Sequence, residues 1–346
     1  MIFFSKRVLL FKKNVYICSV KCYICLLINF LKKIMLMKKL LLFIIISFSV
    51  SSLFSQQLPL YSQYVMNDFY ICPAIAGSKE YSPLVLSVHK QWAGIDKSPS
   101  TQTLSFHTML PKKDMALGGI FFHDSFGPED RLGLEFVYAY HFYIDRHNKI
   151  SLGLAAIGTR YKIDERSFKA QEYYDPAITY QIEQTFVPDA KIGAYFYGDH
   201  YYAAVTASNL FQSKLKINNS KNQNTNKDEN KYVRHYFLYG GYCFEISNDV
   251  WEVEPSVLLK FTELTRLQVD LNAKFIYTRL FWFGVSVRPK DSFIANIGFK
   301  YKSYFLGFAY DFTFSDLSKY TFGSQEIILG WNISESKGGK KRKSFF

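Results

Sequence analysis

Leu267-Gln268-Val269-Asp270-Leu271-Asn272-Ala273-Lys274-Phe275-Ile276-Tyr277 alternates apolar and polar residues. Successive strand side chains point to opposite faces, so Leu267, Val269, Leu271, Ala273, Phe275 and Tyr277 share one face, and Gln268, Asp270, Asn272 and Lys274 the other. Tyr304, Leu306, Phe308, Tyr310, Phe312 and Phe314 repeat the pattern against Gly307, Ala309, Asp311 and Thr313. The same unit of roughly ten residues and a polar turn recurs from about Tyr81 to Ile333. A soluble sandwich can use such alternation. Strands of about 9–11 residues, aromatics near their ends and a polar or small second face point instead to a transmembrane β-barrel.

The pattern predicts an all-β protein, an antiparallel up-and-down barrel of about fourteen strands. They fall at 83–92, 101–110, 115–124, 132–143, 149–162, 189–198, 200–208, 232–246, 250–261, 266–278, 280–287, 291–302, 303–314 and 325–333. Even-numbered connections are short, such as Gly198-Asp199 and Lys302-Ser303, while Ile163–Pro188 and Asn209–Lys231 are long. Short periplasmic turns and long external loops characterise such barrels, so an even strand count places both termini in the periplasm. Backbone groups in lipid must pair internally. The last strand, with Ile327, Leu329 and Trp331 outward, therefore closes on the first, with Leu84, Leu86 and Val88 outward.

Mean hydropathy is −0.05, because half of every barrel strand faces the lumen. The 18% aromatic content fits rings at both membrane interfaces. Met37-Lys38-Lys39 followed by the apolar run Leu40–Val50 and Ser51-Ser52-Leu53-Phe54-Ser55 reads as a signal peptide over 37–55. Residues 1–36 then read as a start assigned too early. The remaining body divides into a periplasmic N-terminal segment (56–82), the outer-membrane barrel (83–333) and a basic C-terminal tail (334–346). The formal charge of +13 resides in the first 39 residues and the tail, leaving 56–334 neutral. Nucleic-acid binding is excluded on that ground. Of five cysteines only Cys72 and Cys243 fall in the mature chain, where a disulfide is conceivable but no framework exists.

Two stretches exceed architecture. One is Tyr61-Ser62-Gln63-Tyr64-Val65-Met66-Asn67 with Pro73-Ala74-Ile75-Ala76-Gly77-Ser78. The other is Gln91-Trp92-Ala93-Gly94-Ile95-Asp96 with Pro99–His107. With Asp124-Ser125-Phe126-Gly127-Pro128 they resemble the opening of the PorP/SprF family, outer-membrane proteins of the type IX secretion system in Bacteroidetes. The family usually has Asn where this chain has Cys72, and a small or Gly-like residue near Lys97. The resemblance implies a monomeric barrel in membrane lipid whose partners are the secretion machinery and a secreted cargo protein, such as a gliding adhesin.

Candidate partner-binding residues are Tyr61, Gln63, Tyr64 and Asn67, whose tyrosines plug the lumen or line its periplasmic mouth. Trp92, Gly94 and Asp96 belong to an ordered outer loop anchored by an interfacial Trp. Lys340, Lys341 and Arg342 lie in the basic tail, which is either a solvated extension or an electrostatic dock. For the two motifs, a role only in folding and closing the barrel stands beside partner binding.

No nucleophile elbow, His-Glu-x-x-His or P-loop occurs, so no catalytic residue, cofactor or metal is expected. His89 and His107 can face the lumen on adjoining strands, but a metal site needs a third ligand at their height. Without the resemblance, a passive or hydrophobic-solute channel is the competing function. Gly298, Gly307, Ala309, Ile328 and Gly330 make the inner face small and partly apolar, which implies a narrow or blocked bore.

Overall fold

Alternation becomes fourteen strands among the described residues. They are β1 (Ser82–Lys90), β2 (Ser100–Met109), β3 (Met115–Phe126), β4 (Glu129–Tyr143), β5 (Lys149–Asp164), β6 (Ile182–Tyr197) and β7 (Tyr201–Ser208). After β8, in two pieces (His235–Tyr242 and Phe244–Ser247), follow β9 (Trp251–Thr262), β10 (Gln268–Tyr277), β11 (Phe281–Arg288), β12 (Ser292–Tyr301), β13 (Tyr304–Thr313) and β14 (Ser324–Ile333). The computed structural model describes residues 64, 66–111, 113–167, 180–215, 231–247, 250–263, 267–314 and 316–333.

Each strand pairs antiparallel with the next, and β14 returns to β1 through Leu84↔Trp331, Leu86↔Leu329 and Val88↔Ile327. The sheet therefore closes as an up-and-down barrel, and closure leaves no free edge. Leu271, Phe283, Ile297, Leu306 and Leu329 face outward and are exposed. So continuous an apolar surface is one that a bilayer covers.

Two departures from the expected strands have local causes. β8 breaks at Cys243, opposite the stretch of β9 that carries Pro255. Proline cannot donate to a ladder, while on the other side the Cys243 amide continues the β7 ladder by donating to the His200 carbonyl (2.7 Å). β6 begins at Ile182, before the expected 189, because its polar first turn pairs with β5 through Ile163↔Glu183 and Lys162↔Gln184. Pro188 is tolerated there, since β7 joins β6 only from Lys191 onward.

The barrel has a turn end, bearing the short even-numbered connections, and a loop end. At the turn end Asp145 closes the β4–β5 connection by accepting from the His147 and Asn148 amides and the Asn148 side chain (2.7 Å each). The His147 amide leads these donors in holding the Asp145 carboxyl below the usual carboxylate range. Aromatic pairs ring this end, including Trp251 with Tyr277 (4.8 Å between ring centroids) and Tyr304 with Trp331 (5.8 Å). Their outer faces suit a membrane interface.

Candidate functional site: a plugged lumen

The described residues between Tyr64 and Tyr81 do not hang below the barrel. This segment runs through the lumen, then joins β1 at the turn end. It lacks strand periodicity because it meets wall on several sides, and two short 3-10 turns, Asp68–Tyr70 and Pro73–Ile75, give it shape. Phe69, Cys72, Ala74, Ile75 and Ala76 are buried against the inner faces of β3 to β7.

The wall was built to admit this backbone. An added Cβ at Gly153 would overlap the backbone of Pro73 and Ala74, at Gly193 it would lie 2.6 Å from the Cys72 Sγ, and at Gly118 2.7 Å from the Phe69 ring. Ala116, Ala139, Ala155 and Ala204 complete the small inner surface. Gly77 turns the chain with φ +73°, beside Ala116 and His141, where a side chain would meet both strain and overlap.

Polar groups fix the register. His141 Nε2 donates to the Ala76 carbonyl (2.8 Å), and in the neutral ring Nδ1 accepts from the Tyr197 hydroxyl (2.8 Å). The Gly77 amide donates to His107 Nδ1 (3.0 Å), and Phe69 meets the His107 ring edge-on at 4.6 Å. Asn67 donates to Ser105 Oγ (3.1 Å). Lys191 donates to the Tyr70 carbonyl (3.3 Å) while paired with Glu135 (2.8 Å). Each bond satisfies a group that burial would otherwise leave costly.

The opposite wall fills its own share of the lumen. Trp282, Ile276, Phe305, Ile328 and Val85 pack with Met66 of the plug. The Trp282 ring occupies the space a Cβ at Gly298 would take, and Phe305 does so at Gly330. Charges in the lumen are paired between strands, Lys274 with Glu254 (2.9 Å) and Arg288 with Asp270 (3.0 Å). On the loop-end side of the plug a cavity of about 120 Å³ remains, lined in part by Tyr64, Tyr70, Asp124, Arg131, Lys191 and Tyr232.

The candidate residues separate. Tyr64 lies in the lumen, its ring edge-on to Tyr239 at 5.7 Å, and Asn67 is buried on the β2 wall. Trp92, Gly94 and Asp96 sit in the β1–β2 loop at the loop end, so the two motifs do not form one site. The Ala93 amide donates to the Gly323 carbonyl (2.8 Å), the Phe322 amide to the Ala93 carbonyl (2.7 Å) and the Trp92 amide to Ser324 Oγ (3.1 Å). These bonds extend the β14–β1 seam. Gly94, at φ +100°, packs so close that a Cβ would lie 2.8 Å from the Phe322 ring. Lys97 has φ +51°, where a small residue fits more easily. Its carbonyl accepts from the Gly127 amide (2.9 Å), joining the second and third sequence motifs. Asp96 is exposed in that loop. Tyr61, Gln63, Lys340, Lys341 and Arg342 lie outside the described residues.

Cys72 and Cys243 are both buried and free, so the conceivable disulfide is not formed. His107 is engaged with the plug, whereas His89 lies opposite Thr101 and Glu326 toward the loop end. Sequence reasoning missed His141, Gly153 and Gly193. The signal available was the run of Gly and Ala at inward positions of neighbouring strands, which marks a surface another backbone approaches.

A family model described as "Type IX secretion system membrane protein PorP/SprF" matches residues 53–331. No curated protein matches the chain. Among solved structures, the CymD monoaromatic hydrocarbon channel is 11% identical, covering 82% of this chain and 96% of its own, with a TM-score of 0.44. A Pseudomonas aeruginosa FadL homologue is 8% identical, covering 76% and 93%, with a TM-score of 0.43. BamA from Haemophilus ducreyi lacking POTRA domains 1–3 is 9% identical, covering 72% and 70%, with a TM-score of 0.40. Likenesses of this order carry no functional argument.

Proposed function

Because the chain belongs to the PorP/SprF family of type IX secretion system membrane proteins, we propose that this outer-membrane barrel supports export or surface anchoring of a secreted cargo protein, as a plugged scaffold and not an open pore. The family is one of secretion-system membrane proteins, not of enzymes. The plug is the observation that carries the reading: a pore for solutes needs a continuous aqueous path, and here Phe69, Cys72, Ala74 and Ile75 are packed across the lumen. The same packing speaks against the passive-channel alternative.

In this reading the short turns and both termini face the periplasm, and the loop end faces outward. Tyr61 and Gln63 supply the specific contact, with Tyr64 and Asn67 tying them to the lumen wall, and Lys340, Lys341 and Arg342 dock on acidic parts of the machinery. The barrel itself is monomeric. A tail-deletion variant lacking 335–346 weakens capture of machinery partners, more at low salt than at high, since exposed charges are screened over about 8–10 Å.

The decisive experiment replaces Tyr61 and Tyr64 by Ala in a strain lacking the wild-type gene. Loss of cargo export with an intact heat-modifiable barrel band supports the reading, and normal export reduces the motif to a folding element. Orientation is read separately by protease on whole cells, which should cut within 209–231 and spare Asn248-Asp249. The reverse pattern inverts the topology.

A further inference from the structure

The outer wall holds a concavity that ordinary strand packing does not require. It spans β9 to β13 in the turn-end half of the barrel, with a volume of about 680 Å³. Phe275, Phe283, Ile297, Phe299, Leu306 and Phe308 line it, almost without polar surface. Stacked Phe275 and Phe283 (4.8 Å, 9° between planes) form one flank, and Phe281 with Phe299 (4.9 Å) another. The Gly298 backbone forms part of the floor, backed from the lumen side by the Trp282 ring.

One end of the concavity meets a cation. Tyr301 stacks on the groove residue Phe299 (6.3 Å, 14° between planes), and Lys302, in the β12–β13 turn, holds its ammonium 5.3 Å from the centre of the exposed Tyr301 ring. It has no ion-pair partner among the described residues. An apolar groove with an aromatic ring and a lysine just beyond its turn-end edge matches an amphiphile with a hydrocarbon chain below a negative headgroup.

We propose that this groove binds one glycerophospholipid, its acyl chain along Phe275, Phe283 and Leu306 and its phosphate on Lys302. The choice of phospholipid over lipid A rests on the orientation proposed above, which puts the turn end in the inner leaflet. The protease experiment reads that orientation by itself, so the two can fail separately.

The test is native mass spectrometry of the full chain in detergent, with phosphatidylethanolamine, phosphatidylglycerol or diacylglycerol of the same chain length added. One equivalent of either phospholipid should survive delipidation, and diacylglycerol should not. Lys302→Gln, which leaves the turn and the groove intact, should lower phospholipid retention about fivefold, the scale of one lysine at a membrane surface. Ile297→Trp, which fills the groove and leaves Lys302 in place, should lower it as well. Equal retention of diacylglycerol, wild-type retention by both variants, or lipid A in place of phospholipid would overturn the proposal.

Discussion

The wall from β3 to β7 and the wall from β10 to β14 face the same lumen with opposite means. The first is shaved to Gly118, Ala139, Gly153, Ala155 and Gly193, and a foreign backbone fills the space. The second carries Trp282, Phe305, Lys274 and Arg288, and fills the space itself. Close packing is reached on both sides, as protein interiors demand. On the first side it is reached mainly with a segment that can in principle leave, whereas on the second that segment adds Met66 to a core the wall supplies. Closure of the pore is thus divided between a fixed half and a separable one.

The largest expected effect tests the fixed half. Trp282→Ala removes a buried ring and should cost about 3–5 kcal/mol in denaturant unfolding of the detergent-solubilised barrel. Cys72 should stay shielded from a maleimide in the folded variant. Outside, the two halves should be indistinguishable: Leu271→Arg on β10 and Leu154→Arg on β5, both exposed to lipid, should each cost about 2–4 kcal/mol in bilayer refolding. A clear difference between them would mean the contrast extends beyond the lumen.

Gly153→Val addresses the separable half. Overpacking typically costs about 1–3 kcal/mol, and here the strain can be relieved by expelling the plug. The barrel band should persist on gels while Cys72 becomes reactive to maleimide. If Trp282→Ala and Gly153→Val expose Cys72 equally, the two walls form one cooperative core and the comparison breaks. The smallest change is Asn67→Ala, which removes the side-chain hydrogen bonding between Asn67 and Ser105 and should cost about 0.5–1.5 kcal/mol, with a modest rise in Cys72 reactivity.

The strands were legible because lipid outside and polar groups inside enforce a period of two, which Leu267–Phe275 displays without interruption. Closure followed from strand count and the need to pair every edge, and Leu86↔Leu329 realises it. The break at Cys243 was also legible in principle, since Pro255 lies across from it. The plug was not. Tyr64 to Tyr81 contacts wall on several sides at once, so burial leaves no periodic trace. Its partners, His141 and Gly193, are brought near only by the closed barrel. The motif residues were therefore found as a group, but Tyr64 and Asn67 went to the lumen while Trp92 and Gly94 went to the seam.

The passage of the chain through the lumen ahead of β1 constrains assembly. The ring is completed by joining the earliest strand to the latest, a closure that must bridge nearly the whole chain and pays the entropy of the longest loop. That joining encircles a segment already tethered at Ser82. Once the β14–β1 ladder is made, the plug cannot escape sideways, and its exit is along the barrel axis.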